Sequence, residues 1–356
     1  MDNNFCRALP AVLLLIAASA PSSAYACATC GCSLSTDAAM GYSATSGWRL
    51  SLQYDYIDQS QLRGGTGTVS PTQVVNNPTT GELEHETINR YITLGLSYRP
   101  SADWNFNLLV PYIDRSHTSY TDTTSAPFDS SQLAPTNRSG VTVSSLGDIK
   151  FITSWQGLLP THNLGFQLGV KLPIGAYGGP NADGTGTVGR RPVAFSSGPT
   201  AQQPSPANLL DTSLQAGTGS TDLIAGAYYY QAVSQNFDAF VNGQYQGAVT
   251  HKLDQAGEDF RPGNVGTVSF GMRYEADPRI VPQVQVNLSR KSHDQGALAD
   301  TLDTAGTVAY LSPGISLNVM QSMQVYGFVQ LPIYSKLDGY QLFPKWTATA
   351  GLSYAF

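Results

Sequence analysis

Three thiols stand within six residues in Cys27-Ala28-Thr29-Cys30-Gly31-Cys32. Thiolates are soft ligands that favour Cu(I) or Zn, and a loop this short can wrap one ion, with the amine of Cys27 as a fourth donor if the chain is cut before it. In an oxidising compartment the same three residues can form one disulfide and leave a spare thiol. Cys27 is also open to lipidation, since Ala24-Tyr25-Ala26-Cys27 has the outline of a lipoprotein processing site, although position 24 there is normally Leu. No His follows Cys30, which excludes a haem attachment motif. Metal, disulfide and lipid all remain open for Cys27, Cys30 and Cys32.

Hydrolytic chemistry would need a histidine held by a carboxylate or a serine in fixed geometry. His85, His117, His251 and His293 fall in long polar stretches, and His293-Asp294 is the one adjacent pair. No catalytic motif surrounds it, and a non-enzyme is expected. Arg49, Arg99, Lys150, Lys171 and Arg273 stand on the polar phase of alternating segments. A charge facing lipid at mid-depth costs about 2–4 kcal/mol, so these five are expected to point into a lumen. There they tune selectivity or pair with inward acids such as Asp55 and Asp148.

The elements that position these residues begin after a secretory signal. Arg7, the apolar run from Ala11 to Ala18 and the small residues ending in Ala24-Tyr25-Ala26 have the layout of a cleavable signal peptide at 1–26. The apolar run is about half the ~20 residues of a membrane-spanning helix. Residues 27–46 read as a periplasmic cysteine-containing segment and 47–356 as one closed architecture, because no linker divides the remainder. Charged residues are only 12% of the chain, with 35 Gly and 19 Tyr, so something other than water must face part of its surface. The net charge of -6 is scattered, which argues against a nucleic-acid partner.

Period-two alternation recurs: Leu50, Leu52, Tyr54 and Tyr56 against Ser51, Gln53 and Asp55, then Ile92, Leu94, Leu96 and Tyr98, then Trp104, Phe106, Leu108, Val110 and Tyr112. Further strands are expected at 148–156, 163–174, 220–232, 236–249, 265–275, 281–291, 306–317, 323–334 and 345–356. Each is close to the ~9–11 residues of a tilted membrane strand. Short connections at 100–103, 157–162, 232–236, 276–280 and 318–322 alternate with long ones at 59–86, 115–147, 175–219, 250–264, 292–305 and 335–344. Aromatics gather near strand ends at Trp48, Trp104, Tyr112, Trp155, Tyr274, Tyr334 and Trp346. The expectation is an all-β transmembrane antiparallel β-barrel of about twelve strands, with short periplasmic turns and long extracellular loops, in the outer membrane. Small inward residues, Gly95, Ser97, Thr153 and Gly169, are expected to leave space along the axis. The stretch from Gly175 to Gly219 is long enough to fold into the lumen as a constriction, or to stay outside as a mobile loop.

The closing strand alternates Ala350, Leu352, Tyr354 and Phe356 outward. Tyr354 and Phe356 resemble the recognition strand that the barrel-assembly machinery reads. Several segments in order, Leu146-Gly147-Asp148, Lys171-Leu172-Pro173-Ile174-Gly175, Gly217-Thr218-Gly219-Ser220-Thr221-Asp222, Phe260-Arg261-Pro262-Gly263-Asn264 and Val329-Gln330-Leu331-Pro332-Ile333-Tyr334, resemble the MetA-pathway of phenol degradation family of outer-membrane transporters. The resemblance spans about 145 to 356 and implies a barrel passing small solutes, aromatic or hydrophobic ones among them. Passive passage is expected because no phosphate-binding loop is present. Outer-membrane lipid, the assembly machinery and a small solute are the expected partners, and no cofactor is expected beyond Cu or Zn at the thiols. The alternative is a structural barrel carrying a thiol metal-binding segment or an adhesion surface.

Overall fold

The computed structural model describes residues 46–76, 83–120 and 130–356. The expected signal peptide and the thiols Cys27, Cys30 and Cys32 lie outside the described residues.

Alternating residues produce the strands β1 (Gly47–Gly65), β2 (Gly67–Thr68), β3 (Leu83–Arg99), β4 (Trp104–Tyr120), β5 (Arg138–Leu146), β6 (Ile149–Trp155) and β7 (Leu164–Leu172). After a small hairpin of β8 (Tyr177–Pro180) and β9 (Thr187–Arg190) come β10 (Ser220–Ala232), β11 (Phe237–His251), β12 (Val265–Tyr274), β13 (Ile280–Lys291), β14 (Gly306–Met320) and β15 (Met323–Ala355). Each wall strand pairs antiparallel with its neighbours in the order β15-β14-β13-β12-β11-β10-β7-β6-β4-β3-β1, and β15 closes the ring on β1. At the seam Trp48 N–H donates to Phe356 O at 3.1 Å and Phe356 N–H to Trp48 O at 2.9 Å.

The 33 residues of β15 make two crossings. The first half pairs with β14 from Met320↔Met323 to Gly306↔Leu337, and the second half with β1 from Gly65↔Leu337 to Arg49↔Ala355. The chain doubles back at Asp338-Gly339, where Gly339 supplies the positive φ (60°) that such a tight turn requires. The eleven segments of the ring therefore cross twelve times, and an even count returns both ends to one side.

Burial runs opposite to that of a water-soluble protein. Phe270 is 54% and Leu223 52% exposed on the outside, whereas Gln285 is 1% and Asn287 5% exposed within. Residues carried outward by the alternation form an apolar belt, with Trp48 and Tyr98 stacked at 4.4 Å on its periplasmic edge and Tyr56 beside Trp346 at 5.7 Å on the outer edge. A closed barrel with such a belt spans the outer membrane.

Two expectations are corrected. The strands rise well beyond the belt: β1 has 19 residues, on the order of 45–50 Å of axial height at ~3.3 Å per residue and ~40° tilt, against a belt ~25 Å tall. Much of the stretches 59–86, 115–147 and 335–344 is thus strand, and His85, His117 and His251 sit on strands. Above the membrane the outward face meets water, so both faces carry polar residues and the alternation fades. Thr153 also faces outward: Lys150, Ile152 and Ser154 hold the inner phase of β6, with Phe151 exposed between them.

Candidate functional site

The segment between β7 and β10 folds into the barrel as a plug. Its apolar residues Phe195, Leu210, Leu214 and Ala216 pack on the inward Val141 and Val143 of β5, with Ile113 of β4 against the same cluster. Buried Arg115 reaches in from β4 and donates to the carbonyls of Leu214 and, at 3.3 Å, Gln215, while its other nitrogens bond Asn89 and Tyr91. In the wall, β5 pairs only with β4. Its far edge meets the plug instead, through Gly140 and Ser197, which exchange backbone bonds at 3.0 and 3.1 Å. The plug therefore also completes the wall above the membrane.

Asp148 clamps both ends of the plug. It lies where the wall strand breaks between β5 and β6, next to Gly147, whose N–H donates at 2.9 Å to the carbonyl of Pro111, a residue with no N–H to extend the ladder. One carboxylate oxygen accepts Gly175 N–H at 3.1 Å, and the other accepts Thr218 N–H at 3.0 Å. Gly175 and Gly217 touch so closely that a Cβ on Gly175 would stand 2.8 Å from the Gly217 backbone. Lys171 completes the clamp, with Nζ 3.3 Å from Asp148 and 3.0 Å from Asp222, all three side chains buried. Asp148→Ala is expected to loosen both plug ends and to cost about 3 kcal/mol, as removal of one partner from a buried charged network does. Lower thermal stability together with noisier, larger single-channel currents in planar bilayers would show it; unchanged currents would mean the plug is held elsewhere.

Beneath the plug lies a chamber of about 380 Å³ at mid-depth. Leu109, Pro111 and Ile113 give it an apolar stripe on the inner face of β4, with plug residue Ala216 above and Val265 also lining it. Asp55, Asp148, Lys150 and Arg115 supply its charges. A second cavity of about 430 Å³ opens above the plug among Leu62, Leu83, Leu209 and Leu298. Ser213 lines both, so the plug segment around it is the septum. Toward the periplasm, amides and aromatics pack the lumen: Tyr326 donates to Gln53 at 2.8 Å, Tyr228 to Gln156 at 2.6 Å, and Asn287 to Ser312 at 2.9 Å. This arrangement can hold and pass a small molecule, and its narrow points are made of side chains and one loop.

Arg49, Arg99, Lys150, Lys171 and Arg273 all stand on the inner phase of their strands. They are not gathered into one site. Lys171 serves the clamp and Lys150 the chamber, while Arg99 and Arg273 lie near the periplasmic rim, the latter 3.1 Å from Glu275. Asp55 accepts from Gln53 and Thr349 at 2.9 and 2.6 Å. His293 pairs with Asp338 at 3.2 Å, whereas Asp294 binds Lys291 at 2.7 Å, so the adjacent His293-Asp294 pair forms no unit. Arg115 and the Leu109–Ile113 stripe were not anticipated. The signal was the run Leu108-Leu109-Val110-Pro111, where the alternation fails because both faces are apolar.

Tyr354 and Phe356 are exposed on the outer face, with rings 6.1 Å apart. Phe356→Asp would put a charge beside the seam with Trp48 and is expected to lower outer-membrane yield several-fold. Cell fractionation with heat-modifiable gel migration measures this, and an unchanged yield of folded barrel would remove the residue's role in assembly.

No protein-family model matches the chain, and no curated protein matches it. Among solved structures it is similar to the COG4313 outer membrane channel from Pseudomonas putida F1, at 12% identity and a TM-score of 0.58, covering 87% of this chain and 96% of that one. The translocator domain of the autotransporter NalP from Neisseria meningitidis (10%, TM-score 0.46, covering 88% and 89%) and a Pseudomonas aeruginosa FadL homologue (10%, 0.40, covering 87% and 90%) also align. At these identities the likeness to the COG4313 channel shows the fold, an outer-membrane barrel.

Proposed function

We propose that the protein is an outer-membrane channel through which small, largely apolar solutes, aromatic ones included, move passively. The observation that carries this reading is the mid-depth chamber of about 380 Å³ with its apolar stripe Leu109, Pro111 and Ile113 facing polar lining residues. Ligand sites are cavities of ~300–1,000 Å³ that combine apolar surface with placed polar groups, and the chamber has that size and joins an apolar stripe to polar side chains such as Gln244, Gln246 and Thr267. A water-filled general porin has no use for such a stripe. Support also comes from the COG4313 protein, itself described as an outer membrane channel. The segments that resemble the MetA-pathway transporters include Leu146-Gly147-Asp148 and Gly217-Thr218, which here build the plug clamp. Outer-membrane lipid, the assembly machinery and the solute are its partners on this reading, and the thiols at Cys27, Cys30 and Cys32, with any Cu or Zn, stand apart from passage.

Swelling of liposomes carrying the full chain tests it. Small aromatic or neutral solutes are expected to enter without any gradient other than their own and disaccharides to enter far more slowly. Equal rates for both, or none above protein-free liposomes, would overturn the proposal.

A further inference from the structure

The outer face of the barrel carries one cationic row at the upper edge of the apolar belt. Arg290 on β13 lies opposite Thr307 on β14, and Thr307 lies opposite Lys336 on β15. The inner phase of these strands belongs to Ser289 and Lys291, to Val308 and to Ser335 and Leu337, so all three residues of the row are on the outer phase. Adjacent strands are ~4.8 Å apart, which sets the two cations roughly 10 Å from one another with a hydroxyl midway. Both cationic side chains are long enough to converge over Thr307.

The row directly below is Leu288, Ala309 and Tyr334. Leu288 and Tyr334 are exposed, and small Ala309 lies buried between them. On β13 the exposed residues Ile280, Val284, Val286 and Leu288 lead up to Arg290, ten residues from Ile280, or about 25 Å of axial rise at ~40° tilt. The row therefore sits where lipid headgroups begin.

We propose that Arg290, Thr307 and Lys336 bind a phosphate of an outer-leaflet glycolipid, whose apolar part descends along the exposed Leu288 and Tyr334. Guanidinium, hydroxyl and ammonium donors side by side in one row can together meet a phosphate's several acceptor oxygens. The apolar row beneath them distinguishes a lipid from free phosphate.

Native mass spectrometry of the folded full chain in detergent tests this with two probes, bisphosphoryl lipid A and its dephosphorylated counterpart. The wild type is expected to retain the phosphorylated lipid preferentially. Joint substitution R290Q and K336Q is expected to lower its retention on the order of tenfold or more, while K336R keeps it. Heat-modifiable migration shows that each variant is folded. Equal retention of the two lipids, unchanged retention in the folded double variant, or displacement of the lipid by millimolar inorganic phosphate would overturn the proposal.

Discussion

Excising the plug between Ala176 and Gly217 is expected to raise single-channel conductance several-fold while leaving the barrel folded. The join is short, because Gly217 N–H already donates to Ala176 O at 2.7 Å. The wall pairs of β6, β7 and β10 lie outside the excised stretch, so the membrane-spanning ladder survives. What is lost is the septum at Ser213, the cluster of Phe195, Leu210 and Leu214, and the carbonyls that Arg115 engages. The remaining narrow zone is then the periplasmic packing around Tyr326 and Tyr228. Conductance equal to that of the wild type would place the controlling constriction there instead.

Leu94→Arg is expected to destroy most folded yield, whereas Thr93→Arg, one residue away on β3, leaves it nearly intact. Leu94 is exposed on the belt between the rows of Tyr98 and Arg90, and Thr93 lines the chamber. An arginine facing lipid near mid-depth costs about 2–4 kcal/mol, a factor of roughly 30 to 1,000 in the folding equilibrium. An arginine at position 93 enters a chamber that already holds Asp55. Refolding into liposomes followed by urea titration measures both. Equal losses would mean that β3 is offset by one residue, since a single-residue slip exchanges the two faces.

Strand phase was legible in the sequence where one face meets lipid. Leu50, Leu52 and Tyr54 alternate with Ser51, Gln53 and Asp55 because an apolar belt and a polar lumen impose opposite demands on neighbours. The short turns at 100–103 and 318–322 were legible for the same reason, as they end that alternation. Above the belt the demand disappears, and so Gln59 to Gly65, Leu83 to Glu86 and Arg138 to Leu146 read as loop although they are strand. Thr153 illustrates a related failure: a small polar residue is acceptable on either face, and only its neighbours Phe151 and Trp155 reveal the phase.

The site was harder to read. Asp148 and Lys171 were recognisable as inward charges, but their common role depends on Gly175 and Thr218, brought together by a loop of over forty residues whose path no local pattern encodes. Arg115 lay beyond the expected end of its strand, and its partners are backbone carbonyls of the plug, which leave no trace in residue type. The apolar stripe, by contrast, was written in Leu108-Leu109-Val110-Pro111 as a break in alternation, since a solute-facing surface makes the same demand as lipid.

Passage of solute runs through the mid-depth chamber on the proposed function, and filling that chamber tests it most directly. Thr267 and Ser289 both line it from the inner faces of β12 and β13. Thr267→Trp, with Ser289→Trp as an independent second variant, places an indole in the space while the outer belt is untouched. The measurement is the entry rate of a small aromatic solute into liposomes carrying each folded, full-length variant. Either substitution is expected to lower entry to near the protein-free rate; entry at the wild-type rate in both folded variants would contradict passage through the chamber.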